Sequence, residues 1–356
     1  MNYVRNAWYA ASWACDIAAE KLLGIRILND PIVIWRNAAG ALTAFEDRCI
    51  HRLAPLSLGR CEGEKLRCMY HGLLYDRTGR VVDIPGQEKN RIPDTLRVRT
   101  YPVVERHGCV WVWMGNAAAD ESLIPPVIDL DQPAYANYFS AQGQMDFAAE
   151  GFLVSDNLLD LSHLSFLHAE SFDDLVSQAW AREPPKFTKR ERSVRTEQWL
   201  RSQPFGGGSK PGERVDTYTR TDFYVPGVLV IMDRGYPVGT ADTLNGQEPD
   251  PGQPAYSISG HLVTPMTSRS TRYFFWAAFH RDYDPSIHDH DAVMTYAQKG
   301  FNEDKKMIEA QQQILDSTPG WRFIPTRNDR GVLFYNQILE KLVREESSQV
   351  NPSSSS

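Results

Sequence analysis

Two short stretches, Cys49-Ile50-His51 and Cys68-Met69-Tyr70-His71, stand sixteen residues apart in a chain of 356. No other feature constrains the fold as tightly, because metal-type residues in paired spacing seldom arise from packing alone. The text around them is strand-like. Two apolar runs flank the turn-rich residues 36–40, and Thr78-Gly79 sits between two further runs as a hairpin signal. Residues 101–115, rich in Val and Trp, read as a strand pair around His107-Gly108. The stretch 116–126 breaks this pattern and ends in Pro125-Pro126, where a domain boundary is expected.

Each of the two stretches mixes one Cys with one His. A zinc finger normally pairs its cysteines in one knuckle and its histidines in another. The mixed pairing suits a two-iron cluster in which Cys49 and Cys68 take one iron and His51 and His71 the other. Neutral imidazole donates less charge than thiolate, so such a cluster has a raised potential. Pro55, Gly59 and Gly72 follow the ligands and let the chain turn sharply beside them. The remaining cysteines, Cys15, Cys61 and Cys109, leave an odd total with no export signal, which points to reduced thiols rather than a disulfide framework.

A second constellation lies downstream. Residues 150–170 are Leu-rich and read as helical, yet carry Asn157, Asp160, His163 and His168. On a regular helix the two histidines lie about 140° apart, so both reach one ion only if the helix ends, kinks or bulges between them. A long helix expected over about 289–316 puts Asp304 mid-stripe among Ala297, Phe301, Ile308 and Leu315, while Glu303 points to water. A buried carboxylate there needs a charge partner or a metal. Two histidines and a carboxylate make the ligand set of non-haem ferrous oxygenases. Strands are expected over 186–281, interrupted by loops at 202–213 and 242–255 with a flexible or lid role, and another helix near 329–346.

Together the two constellations resemble the Rieske non-haem iron ring-hydroxylating oxygenases, in the branch of vanillate O-demethylase, dicamba monooxygenase and toluenesulfonate methyl-monooxygenase. The resemblance runs from Asn6-Ala7-Trp8-Tyr9 to about residue 345. It implies an α+β chain: an all-β Rieske domain at 1–120, a helix-grip-like catalytic domain with an antiparallel sheet and helices at 121–346, and a disordered polar tail at 347–356. It implies a [2Fe-2S] cluster on Cys49, His51, Cys68 and His71, and a mononuclear Fe(II) on His163, His168 and Asp304. Asp160 would be a bridging carboxylate, bonded to His163 of its own chain and to His71 of a neighbouring one, and Asn157 would sit beside the iron. It further implies a head-to-tail homotrimer, O2 as co-substrate and a small aromatic substrate.

The resemblance implies oxidation of a methoxy or methyl group of an aromatic acid, foremost O-demethylation releasing formaldehyde; methyl hydroxylation, N-demethylation and ring hydroxylation stay open. Residues 218–235, 258–263 and the end of the long helix are expected to line the pocket, with His261 against the substrate. A Rieske electron carrier and a zinc-stabilised binding protein are the competing classes. No G-x-G-x-x-G follows a strand, so NADH serves only through a separate flavin reductase, with or without a ferredoxin. A net charge of −7 argues against nucleic acid, and no apolar run spans a membrane. Without a signal peptide pattern, a cytoplasmic location is expected.

Overall fold

Cys109–Trp113 is a strand in which every residue is buried, so it can only be the centre of a sheet. In the computed structural model this strand, β11, lies between β1 (Trp8–Trp13) and β10 (Val103–Arg106). The β10–β11 turn is His107-Gly108, both with positive φ, as a two-residue hairpin requires. The structure describes residues 3–127, 135–169, 171, 174–204, 214–250, 254–281 and 289–350. Residues 5–124 with 264–268 form one unit, and the rest of the described chain forms a second.

The first unit is all β. A second sheet runs β2 (Leu22–Ile27), β3 (Asp30–Arg36), β4 (Leu42–Glu46) and β9 (Thr100–Tyr101). A third small sheet runs β5 (Arg60–Glu62), β6 (Lys65–Arg67), β7 (Leu74–Tyr75) and β8 (Val81–Asp83). Its hairpin turns at Thr78-Gly79, where the Asp76 carboxylate accepts from the Thr78 and Arg80 backbone N–H groups. Trp35, Phe45, Leu56, Leu66, Tyr75 and Val81 form a core that includes Cys49 and Cys68.

The second unit is built on a seven-stranded antiparallel sheet. Its order is β12 (Tyr138–Phe147), β18 (Ser270–His280), β17 (Ser257–Thr267), β16 (Val228–Pro237), β15 (Arg214–Tyr224), β14 (Ser193–Pro204) and β13 (Lys186–Lys189). Helices α1 (Gly151–Leu159), α2 (Leu164–Leu167), α3 (Asp174–Arg182), α4 (Thr240–Thr243), α5 (His290–Ser317) and α6 (Arg330–Val350) complete it. The α+β class is as the sequence reading expects. Among the described residues no helix is long and apolar enough to cross a membrane.

Three expectations are refined. The helix expected over 150–170 is interrupted at Asp160, which is extended (φ −119°, ψ 90°); a 3-10 turn over Leu161–His163 follows. Helix α6 runs to Val350 and so enters the polar tail, where the Ser347 and Ser348 hydroxyls donate to the Val343 and Arg344 carbonyls. The loop at 242–255 begins inside α4. Residues 205–213, 251–253 and 351–356 of the two loops and the tail lie outside the described residues.

Candidate metal centres

The first centre is made by two loops with the same local construction. The Cys49 N–H donates to the Ala54 carbonyl, and the Leu53 N–H donates back to the Cys49 carbonyl. In the second loop the Cys68 N–H donates to Leu73 and the Gly72 N–H to Cys68. Each loop closes through one left-handed residue, Leu53 (φ 56°) and Gly72 (φ 80°). A Cβ on Gly72 would lie 2.6 Å from a Pro85 ring carbon, so this position admits only glycine without a shift.

The construction sorts the four side chains by burial. Cys49 and Cys68 are 2% and 1% exposed, whereas His51 and His71 are exposed, their rings 4.6 Å apart. Burial raises the Cys68 thiol pKa, and neighbouring Cys49 adds to the effect. Thiols in that setting are stabilised as thiolates only by a positive partner or a metal. Sequence reasoning missed Tyr75, whose hydroxyl lies 3.1 Å from the Cys49 Sγ and accepts from the Ile50 N–H. An aromatic two strand positions past Leu73 carries no signal of that contact.

The second centre forms where the chain breaks at Asp160. The extended Asp160 directs its main-chain oxygen at His163, whose Nδ1 lies 2.6 Å away. A carbonyl only accepts, so Nδ1 carries the proton and Nε2 is left with a free lone pair. His168 ends α2 outside helical geometry, and its Nδ1 lies 2.7 Å from the Glu303 carboxylate. That bond likewise frees Nε2. Both Nε2 atoms point at one oxygen of Asp304, at 3.4 Å from His163 and 3.3 Å from His168.

Asn157 completes this centre from α1 by donating through Nδ2 to the same Asp304 oxygen at 3.0 Å. Burial would raise the Asp304 pKa, but the two histidines in their protonated forms, with a hydrogen on Nε2 as well, outweigh it and hold the carboxyl at about 2. For His168 burial alone lowers the pKa; Asp304 and Glu303 reverse that and raise it. Ligand atoms of His163, His168 and Asp304 all fall within 4.8 Å of one another. Ligands held at about 2.1 Å by one ion stand at most about 4.2 Å apart, and the 3.4 and 3.3 Å separations of the two Nε2 atoms from Asp304 meet that limit. Among the described residues this is the one such group. Cys49, His51, Cys68 and His71 do not form one, which disfavours a single zinc ion on all four.

Two expectations change here. The Asp160 carboxylate does not bond His163; its main-chain oxygen does, while the carboxylate accepts from the Ser162 N–H and caps the 3-10 turn. Glu303, expected to face water, is half-buried against His168. The periodicity of α5 was right about Asp304 (9% exposed) and Ile308 (2% exposed) but could not foresee a histidine arriving beside their flank. His261 is buried on β17, bonded to the Ser259 hydroxyl at 3.0 Å and the Tyr273 hydroxyl at 2.5 Å. Burial lowers its pKa to about 4. Its ring lies 5.7 Å from Phe301 of α5, one turn from Asp304.

Residues 7–102 match the family "Rieske [2Fe-2S] domain", and residues 147–345 match "Vanillate O-demethylase oxygenase C-terminal domain". The iron-sulfur subunit of the toluene-4-sulfonate monooxygenase system of Comamonas testosteroni is 31% identical, over 98% of this chain and 100% of that one. A vanillate O-demethylase oxygenase subunit from a Pseudomonas species is 34% identical, over 90% of this chain and 96% of the other. Among solved structures, dicamba monooxygenase bound to 3,6-dichlorosalicylic acid superposes with a TM-score of 0.83 at 27% identity, over 98% of this chain and 100% of that one.

Proposed function

Because this chain belongs to the Rieske oxygenases that join a Rieske [2Fe-2S] domain to a vanillate O-demethylase-type C-terminal domain, we propose that it is the terminal oxygenase of a multicomponent monooxygenase that oxidises a methoxy or methyl group on an aromatic compound. O-demethylation with release of formaldehyde is the foremost activity. The relatives named for vanillate and dicamba demethylation support the methoxy reading, and the toluenesulfonate relatives support the methyl one. The observation that carries the proposal is the pair of histidines whose Nδ1 atoms are both occupied, leaving two Nε2 lone pairs aimed at Asp304.

Cys49, Cys68, His51 and His71 hold the [2Fe-2S] cluster, and His163, His168 and Asp304 hold the mononuclear iron. When bound, the cluster supplies single electrons and the iron activates dioxygen for insertion into a C–H bond. The protein's own residues set the conditions for that chemistry. Asp160 and Glu303 fix the tautomers of the two histidines, and Asn157 holds the Asp304 carboxylate in place. His261, neutral at pH 7, packs its ring edge-on beside Phe301, and in this proposal it lies against the substrate. The first 120 residues serve as the cluster-bearing domain and residues 121–346 as the catalytic domain.

The electrons come from a separate reductase, with or without a ferredoxin. We place the chain in a head-to-tail homotrimer, with His71 of one copy facing the Asp160 carboxylate of the next. Exposed apolar residues support this: Leu53, Met69 and Tyr70 surround the cluster histidines, and Phe166 lies between His163 and His168. Such residues favour burial against another surface. The test is formaldehyde release from methoxybenzoates, arylsulfonates and N-methyl compounds with a surrogate reductase, together with an Asp304→Ala variant. Loss of mononuclear iron and turnover with the cluster spectrum intact is expected. An unchanged iron count would refute the ligand assignment.

A further inference from the structure

Residues opposite each other in an antiparallel ladder share a face. On the face that carries His261, the register sets Thr219, Asp233 and Ser257 in one row, and Leu229 with His261 in another. Ile231 and Ser259 form the row between. On β14–β17 this face holds one charged side chain among the described residues, Asp233. Arg195, Glu197, Arg220 and Arg234 all alternate to the opposite face. The wall that leads from the metal ligands along β16 and β17 is therefore neutral and hydroxyl-rich, with a single acid at its far end.

Asp233 is held rigidly and is left with capacity to spare. One carboxylate oxygen accepts from the Thr219 hydroxyl at 2.6 Å and the other from the Ser257 hydroxyl at 2.7 Å. A carboxylate has about four acceptor sites, so roughly half remain open. Asp233 lies mid-strand in the sheet and is half-buried. Among the described residues no basic side chain pairs with it. Burial raises its pKa, and the two hydroxyl donors and the charge of Arg234 act against that rise. An acid in that setting gains from one more donor.

We infer that Asp233, seated by Thr219 and Ser257, is a specificity-determining residue that accepts a hydrogen bond from the end of the substrate opposite its reacting methyl group. The preferred substrate is then an aryl methyl ether or methylarene bearing a hydroxyl, amino or amide N–H group at that end, with no acid group there. This rests on the oxygenase reading above. Ser257 and His261 are four residues apart, about 13 Å along the strand. The row between them is Ile231 and Ser259, and on this inference the aromatic ring of the substrate lies against that row. A carboxylate or sulfonate at this end would meet a like charge and find no cation on the wall.

The test uses iron-loaded holoenzyme and three sets of probes matched in shape: methoxyphenols, methoxytoluenes and methoxybenzoates. Binding is measured by calorimetry and turnover by formaldehyde release. Wild-type enzyme is expected to bind the phenols about tenfold to hundredfold more tightly than the toluenes, the range of a hydrogen bond to a charged acceptor. Asp233→Leu should abolish that preference. Asp233→Asn, which keeps an acceptor and its hydroxyl partners, should retain part of it and bind the benzoates better than wild type. Equal binding of phenols and toluenes by the wild type, or an undiminished preference in Asp233→Leu with the cluster spectrum intact, would overturn the inference. The expected preference without formaldehyde release overturns the demethylase reading alone. Formaldehyde release with no preference overturns this inference alone, and a wild type that binds none of the probes overturns both.

Discussion

Replacing Glu303 by alanine should loosen the mononuclear iron without touching any of its ligands. The Glu303 carboxylate accepts the His168 Nδ1–H at 2.7 Å, and the His168 side chain is only 2% exposed. Water has little access to take over the bond, so alanine leaves a buried N–H unsatisfied at about 1–3 kcal/mol. It also frees His168 to adopt the other tautomer, which would turn a protonated Nε2 toward the metal. At about 1.4 kcal/mol per tenfold change, iron affinity should fall roughly tenfold to hundredfold. Glu303→Gln keeps an acceptor of similar reach, so its loss should be no more than about a third of that in free energy. Apparent affinity is read by competition with a ferrous chelator, using the Rieske absorption of the same sample as a control for folding. Glu303→Ala protein that retains iron like the wild type would refute the argument that this bond sets the ligand atom.

Other expectations test separate links. Tyr75→Phe removes a hydroxyl 3.1 Å from the Cys49 sulfur, so the cluster potential should drop by about 50 mV; protein-film voltammetry that finds no shift would exclude a bond to the bound cluster. Asn157→Ala withdraws a donor from Asp304 and should weaken iron binding severalfold, roughly 1 kcal/mol, with calorimetry against ferrous ion as the readout. Burial, with the nearby charges of Asp329 and Glu150, raises the Asp156 pKa to about 7. An acid whose pKa is higher in the folded state stabilises fully below its unfolded value near 4, and that contribution is lost as pH rises through about 7. Urea midpoints for wild type should therefore fall relative to Asp156→Asn between pH 4 and 8, and parallel curves would dismiss the effect.

The strongest sequence signals were those in which chemistry and spacing coincide. Two mixed Cys/His pairs read as loops in a β unit, and the loops carry them. The apolar stripe of α5 singled out Asp304 from its neighbours, and its carboxylate is buried. Glu303 escaped the same reasoning because helical periodicity assigns a face but not what packs on it. Asp160 shows the converse limit. The resemblance implied a side-chain bond to His163, but an extended backbone gave that role to its carbonyl and used the carboxylate as a cap.

What the sequence determined alone is the set of ligand types, their pairing, and the β and helical segments that carry them, because these follow from local spacing and periodicity. Only the tertiary structure decided which nitrogen of each histidine is free. It also decided that Cys49 and Cys68 are buried while His51 and His71 are exposed, and that on β14–β17 the face carrying His261 holds one charge among the described residues, at Asp233. Those properties depend on hydrogen bonds and cross-strand register between residues far apart in the chain. His168 and Glu303 are 135 positions apart, and Asp233 and Ser257 are 24. No periodicity within either segment can specify such a meeting; it is set when the helix and the strands pack.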